Sequence, residues 1–181
     1  NDVNVKIIGS PDNPTQTIID GGENDCVVKI NGGQSELAEL SGFTLRNGAT
    51  DGRGGGGIYS TNRSRPTLRN LIITNCFGTR GGGILCWDSN ARIENVTLTE
   101  NTAQAHGGGI CLMGTSGAIL SNIISSNNTA ETGDGGGIAS FSSRNVSIRG
   151  GLVSENSTRR SGGGLYSQGQ QINVSDMVLR D

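Results

Sequence analysis

Residues 81–86 read GGGILC, and four close variants of this hexapeptide occur elsewhere in the chain. They are GGGIYS at 55–60, GGGICL at 107–112, GGGIAS at 135–140 and GGGLYS at 162–167. The aliphatic residues that follow the glycine triplets, Ile58, Ile84, Ile110, Ile138 and Leu165, are separated by 26, 26, 28 and 27 positions. A fixed period of this length is the sequence signature of a solenoid, in which each repeat forms one structural unit.

A second motif runs in step with the first. It begins with a small residue, an amide or an acid, continues with alternating apolar positions, and ends with Asn or an acid. Its copies read GFTLRN at 42–47, NLIITN at 70–75, NVTLTE at 95–100, NIISSN at 122–127, GLVSEN at 151–156 and DMVLRD at 176–181. This alternation is typical of a half-buried strand. It predicts that the following pairs point into the core: Phe43/Leu45, Leu71/Ile73, Val96/Leu98, Ile123/Ser125, Leu152/Ser154 and Met177/Leu179.

Each period contains three short strand-like stretches and no segment with helical periodicity. The predicted fold is therefore all-β: a right-handed, single-stranded parallel β-helix with three short strands in each coil of 26–28 residues and about seven coils. Residues 1–181 are predicted to form one domain, less regular over 1–48 and regular over 49–181. The chain begins without Met, and we expect it to be part of a longer protein.

Glycine and asparagine mark the predicted corners of the coil. Of the 31 glycines, 15 fall into the five triplets, where we expect tight turns that bulky side chains would obstruct. The Asn residues near the end of the second motif adopt left-handed backbone readily and can form amide ladders, so we expect a structural role rather than ligand contact. The predicted positions are Gly55, Gly56, Gly57, Gly81, Gly82, Gly83, Gly107, Gly108, Gly109, Gly135, Gly136, Gly137, Gly162, Gly163 and Gly164, with Asn47, Asn75, Asn101, Asn127 and Asn156.

The outer side of the strand that follows each glycine triplet is predicted to be apolar. If the residues after the triplets point inward, the residues one and three places later point outward. A continuous apolar strip on a rod usually marks a contact with another protein or domain. Alternatives are ordinary packing, with the rings tucked into turns, and carbohydrate stacking. The predicted interaction surface comprises Tyr59, Leu85, Trp87, Met113, Phe141 and Tyr166, accompanied by Cys111 and Ala139.

Composition limits the other functional classes. The formal net charge is −2 and the cations are scattered singly, so no nucleic-acid partner is predicted. The sequence contains no apolar run long enough to span a membrane, so no membrane insertion by this segment is predicted. The four cysteines lack metal-ligand spacing, and we predict neither a metal site nor a cofactor. Cys86 is expected to point inward and Cys111 outward, which disfavours a disulfide between them.

The paired motifs resemble the repeats of chlamydial polymorphic outer membrane proteins and related bacterial surface β-helix proteins. The similarity rests on the GGGI hexapeptides together with IITN at 72–75, LTEN at 98–101, ISSN at 124–127 and VSEN at 153–156. The opening stretch VKIIGSPDNPTQTIIDGG at 5–22, VVKI at 27–30 and LSGFTLRNG at 40–48 also resembles the first coils of such proteins. The resemblance implies a secreted or surface-exposed passenger domain, and many of these domains are adhesins or fibre components.

The repeat pattern and the resemblance predict two alternative functions. The first is a non-catalytic structural or adhesive rod without catalytic residues. Its expected partner is another protein chain or domain, bound at the apolar face and at the open coil ends. Surface glycans are a further possible partner. The alternative is a carbohydrate-active enzyme with catalytic acids in the turns, of which Asp51 and Asp134 are the first candidates. His106, the only histidine, is expected to be a solvated turn residue. Asn62 and Asn156 are the predicted glycosylation sites if the source is a secretory eukaryote.

Overall fold

A computed structural model describes residues 4–52, 54–115 and 117–180, where the chain winds as strands joined by turns. The single helical element in these ranges is a 3₁₀ turn at Pro14–Gln16. Asp181, the last residue of the sixth copy of the second motif, lies outside the described residues. The strands are β1 Lys6–Ile8, β2 Ile18–Asp20, β3 Val28–Ile30, β4 Glu39–Arg46, β5 Ile58–Ser60, β6 Thr67–Thr74, β7 Phe77–Arg80, β8 Ile84–Trp87, β9 Arg92–Thr99, β10 Thr102–His106, β11 Ile110–Met113, β12 Ile119–Ser126, β13 Thr129–Ala130, β14 Ile138–Ser154, β15 Ser157–Thr158 and β16 Leu165–Arg180.

All strand pairing is parallel and joins each strand to its equivalents in the neighbouring coils, which forms three faces. Face A contains β1, β2, β4, β6, β9, β12 and the C-terminal halves of β14 and β16. Face B contains β7, β10, β13 and β15. Face C contains β3, β5, β8, β11 and the N-terminal halves of β14 and β16. The predicted β-helix is confirmed, with six coils and the face A strand of a seventh.

The inward residues stack into continuous rows along the axis. In one row Leu45, Ile73 and Leu98 are each fully buried, and Ser125 and Val153 continue it. Each coil therefore buries its apolar side chains against the coils above and below, as solenoids require.

The predicted inward pair Leu152/Ser154 is wrong. Gly151, not Leu152, pairs with Ile123, so Val153 points inward and is 1% exposed. In this coil the corner falls one residue earlier in the motif than in the others. Gly150 occupies the left-handed corner that Asn122 occupies one coil earlier, so Gly151 takes the inward position after the corner. A shift of one residue turns every side chain of a strand to the opposite side.

The three glycines of each triplet meet different neighbours. The first adopts left-handed backbone in four of the five triplets, for example Gly81 with φ 61°, whereas Gly55 does not. In the first four triplets a Cβ on the second would collide with backbone of the next coil and of face B, as at Gly82. A Cβ on the third would enter the core, where Gly83 lies beside the Leu98 side chain. The triplet thus forms a corner at which the backbone packs against neighbouring backbone and against core side chains, with little space for a side chain of its own.

The predicted Asn positions fall into two different columns. Asn47, Asn75 and Asn127 have left-handed backbone, and the equivalent places in the other coils hold Glu100 and Glu155. Asn101 and Asn156 belong to the next column, where they join a residue that sequence reasoning missed, Asn128. Asn101 and Asn128 are fully buried and their amides bond to each other along the axis. The two columns follow each other in sequence, so an Asn near the motif end does not by itself reveal which role it has.

Candidate functional site

The predicted apolar strip lies on the outer side of face C as two rows in register. One row runs Tyr59, Leu85, Cys111, Ala139 and Tyr166. The other runs Trp87, Met113 and Phe141 and ends at Gln168. The period of the repeat therefore does bring these side chains together over successive coils.

Part of the predicted interaction surface is nevertheless inaccessible, because Leu85 is fully buried. Together with Cys111 and Ala139 it forms a second, small hydrophobic core outside face C. The glycine corners cover this core: an added Cβ on Gly55, Gly107 or Gly135 would lie within 3 Å of a backbone or Cβ atom of one of its residues. Leu85 thus contributes to packing and cannot contact a partner directly.

The side chains that remain at the surface are each half-buried against this second core. We define them as the lateral strip: Tyr59, Trp87, Met113, Phe141 and Tyr166. The Phe141 and Tyr166 rings lie 5.2 Å apart between centroids. The strip is therefore a fixed array of aromatic and thioether groups, held from below by an apolar layer.

Charged side chains border the lateral strip at the corner position just before the glycine triplets. Arg80, His106 and Asp134 occupy this position in three successive coils. The Arg80 guanidinium lies 5.8 Å from the centroid of the Trp87 ring. In the sequence, the signal for this border is the residue that directly precedes each glycine triplet.

His106 is not the solvated turn residue that the sequence predicted. It ends strand β10, its side chain is 23% exposed, and its ring lies 4.5 Å from that of Phe141 between centroids. Its Nδ1 accepts the Asp134 backbone N–H at 2.9 Å, and the Asp134 carboxylate lies 3.7 Å from the same nitrogen. The parallel winding places these groups side by side although 27 residues separate them in sequence.

Burial lowers the pKa of His106 below its ordinary value; Asp134 opposes this effect, while Arg80 and Arg160 add to it. The folded state then binds the proton less readily than the unfolded state does, so stability falls as pH drops below about 6.5. We expect the urea midpoint of the wild-type chain to be lower at pH 5.5 than at pH 7.5. His106→Gln should reduce this difference, and an equal difference in both proteins would show that other groups cause it.

The cysteines occupy both apolar layers. Cys86 lies in the main core and Cys111 in the second core, which confirms their predicted opposite directions. All four cysteines are free thiols. Burial raises the pKa of Cys86 and of Cys111 to about 12. Both sulfur atoms therefore remain protonated and behave as small apolar groups at neutral pH.

A shallow groove of about 520 Å³ crosses the junction of faces A and B. Its lining residues include Glu23, Glu100, Glu131 and Phe77, whose side chain is exposed. Glu100 and Glu131 come from adjacent coils. Sequence reasoning missed this cluster, because the acids come from different places in the repeat.

The two acids proposed from the sequence, Asp51 and Asp134, do not form a pair. They lie in turns three coils apart, which corresponds to about 14 Å at the usual strand spacing. Carboxyl pairs in glycosidases are separated by at most about 9.5 Å. Asp134 is also engaged, since its Oδ1 accepts the Ser161 backbone N–H.

The two predicted glycosylation positions differ. Asn62 is exposed in a turn, with its Nδ2 donating to the Asn31 carbonyl. Asn156 is a poor acceptor for a glycan, because its Nδ2 donates inward to the Ser125 carbonyl at 2.7 Å and its Oδ1 accepts from Asn128. Attachment at Asn156 would break the internal ladder.

Residues 4–52, 54–115 and 117–180 contain no group of three or more His, Cys, Asp and Glu side chains placed to hold a metal ion. No helix among them is long and apolar enough to cross a membrane.

Parallel winding, the internal ladder and the stacked core define the class of the protein as a β-solenoid. The family model of the right-handed β-helix region matches residues 26–179, so the chain belongs to this family. Searches of curated proteins and of solved structures gave no match.

Proposed function

We propose that this chain is a non-catalytic structural or adhesive rod that joins other protein chains through its lateral strip and its end coils. The observation that carries the proposal is the row of Trp87, Met113 and Phe141, which are half-buried and in register over three successive coils. Large apolar groups that already pack against a layer beneath them supply contact area at a reduced cost for ordering them on binding.

The end coils supply a second kind of contact. In the middle of the rod a core row is fully buried, as at Leu68 and Ile93, but its terminal members Ile7 and Val174 are exposed. Another parallel coil stacked on either end, from this polypeptide or from a different chain, would cover these rows and the open strand edges. Eight of the eleven exposed large apolar residues in the described part of the chain lie near the ends: Val5, Ile7, Ile8, Ile18, Leu37, Val174, Val178 and Leu179.

The proposed location is the cell surface or the extracellular space. The support is the resemblance of the GGGI and Asn motifs to surface β-helix proteins. A stiff rod suits this location, because stacked coils hold two contact sites at a fixed separation. Proteins are the proposed partners, and surface glycans are the competing class that binding assays with oligosaccharides would detect.

The double substitution Trp87→Ser and Phe141→Ser tests the lateral strip. Both side chains are half-buried, so we expect the fold to persist with a loss of roughly 1–3 kcal/mol in unfolding free energy. The wild-type chain should show a light-scattering mass above that of one 18.7 kDa chain, and the variant should show a smaller mass.

The matched control replaces two exposed apolar residues outside the strip, Phe77→Ser and Ile124→Ser. Its scattering mass should equal that of the wild type. If the strip variant keeps the wild-type mass while circular dichroism shows an intact fold, the strip has no role in association.

The alternative function, a carbohydrate-active enzyme, has one observation in its favour: the groove that holds Glu100 and Glu131 beside Phe77. Incubation with acidic and neutral polysaccharides distinguishes the two functions. The rod proposal expects no release of new chain ends. Release that disappears in Glu100→Gln or Glu131→Gln but survives in Glu155→Gln, an exposed acid outside the groove, would establish the enzyme instead.

A further inference from the structure

Cationic side chains lie directly on the rings of the lateral strip. The Lys29 ammonium lies 5.8 Å from the centroid of Tyr59, and the Arg80 guanidinium lies at the same distance from that of Trp87. Arg160 is exposed and directly precedes Ser161, whose backbone N–H donates to the Asp134 carboxylate at this border. Within the described ranges, none of these three cations has a carboxylate partner within 4 Å.

Arg80 is the most constrained of the three cations. Its Nε is buried and has no hydrogen-bond partner. Buried donors are normally paired, and an orphan donor of a charged group is costly. Arg80 as a whole is only partly buried, so a partner's carboxylate that reached its guanidinium would form a charge-assisted hydrogen bond beside the half-buried Trp87 ring.

The one carboxylate at this border does not neutralise the cations. The Asp134 side chain is 11% exposed, its Oδ1 accepts the Ser161 N–H, and its Oδ2 faces His106. Several other cations on the rod are paired with carboxylates, for example Arg69 with Glu39 at 2.6 Å and Arg46 with Asp20 at 2.8 Å. The strip therefore differs from the rest of the rod in combining aromatic rings with unpaired positive charge.

We propose that the partner bound by the lateral strip is a protein segment in which carboxylate side chains alternate with apolar ones. This inference rests on the proposed function and specifies the chemistry of the partner. Apolar side chains of the segment would cover Trp87, Met113 and Phe141, and its carboxylates would accept charge-assisted hydrogen bonds from Arg80 and Arg160. A protein is favoured over an acidic glycan, because Met113 and the apolar layer beneath the rings offer hydrocarbon contact rather than hydrogen-bonding groups.

The experiment uses two synthetic ten-residue peptides, one alternating Leu and Glu and one alternating Leu and Lys. Trp87 is the only tryptophan of the chain, so its fluorescence reports directly on the strip. We expect the Leu–Glu peptide to change this emission and to bind more weakly as salt is added, while the Leu–Lys peptide leaves the emission unchanged.

Arg80→Gln combined with Arg160→Gln should weaken binding of the Leu–Glu peptide by about tenfold. The control, Arg144→Gln combined with Arg149→Gln, removes the same charge at two exposed arginines outside the strip and should keep the wild-type affinity. Equal affinities of the two double variants, or equal binding of the two peptides, would overturn the proposal.

An oligogalacturonate provides the glycan comparison. If it binds with the same arginine dependence and the Leu–Glu peptide does not bind, the protein partner is wrong. The light-scattering test distinguishes failure of the proposed partner from failure of the proposed function. If the Trp87/Phe141 variant has a reduced mass but no peptide binds, the rod proposal stands and only the acidic partner segment is wrong.

Discussion

Gly82→Ala is expected to unfold the chain or to lower its unfolding free energy by more than about 4 kcal/mol. A Cβ at this position would lie 2.5 Å from the Gly108 carbonyl oxygen in the next coil and 2.5 Å from the Thr102 carbonyl oxygen in face B. Neither atom is free to move, because the Gly108 oxygen accepts a hydrogen bond from Gly83 and Thr102 lies within the sheet of face B. The measurement is urea denaturation followed by circular dichroism, together with the yield of soluble protein.

Gly163→Ala is the matched control for this experiment. It has the same place in the motif, but in the last triplet, where an added Cβ would meet only the Asn156 carbonyl oxygen at 3.1 Å. We expect a change within about 1 kcal/mol of the wild type. Similar losses for Gly82→Ala and Gly163→Ala would show that the loss of glycine flexibility, and not the contact with the next coil, causes the effect.

The sequence was sufficient for the architecture because the signals repeat. Five glycine triplets at nearly equal spacing fix the coil length, and the alternation around Leu71 and Val96 fixes the inward direction. A solenoid contains few contacts between residues more than about one coil apart in sequence. The period therefore contains most of the information that a globular fold would distribute over distant segments.

The sequence was not sufficient where one residue decides between two neighbouring roles. Gly150 and Gly151 look alike in the motif, yet one is the corner and the other faces inward, which shifts Leu152 out of the core. Leu85 alternates outward correctly, but alternation cannot show that the glycine corner covers it. The charged border of the strip and the acidic groove depend on which turn residues meet across coils, and this follows from the register rather than from the motif.

Asn128→Ala is expected to lower the unfolding free energy by about 3–5 kcal/mol. The Asn128 Oδ1 accepts hydrogen bonds from the backbone N–H and the Nδ2 of Asn101, both at 3.0 Å. Its Nδ2 reaches the Leu98 carbonyl at 3.0 Å and the Asn156 Oδ1 at 2.9 Å. Alanine would leave these groups buried without partners and would open a cavity in the ladder. The free energy is measured by urea denaturation.

The neighbouring substitution Asn127→Ala is the matched control, because Asn127 belongs to the left-handed corner column and Asn128 to the amide ladder. Asn127 is exposed and has φ 54°, so its loss should cost only about 1 kcal/mol of backbone strain. A ladder also makes a second prediction, because Asn101 and Asn128 share bonds: Asn101→Ala should cost less in the Asn128→Ala background than in the wild type. Additive losses, or equal losses at Asn127 and Asn128, would show that the buried amides act as separate residues and do not couple one coil to the next.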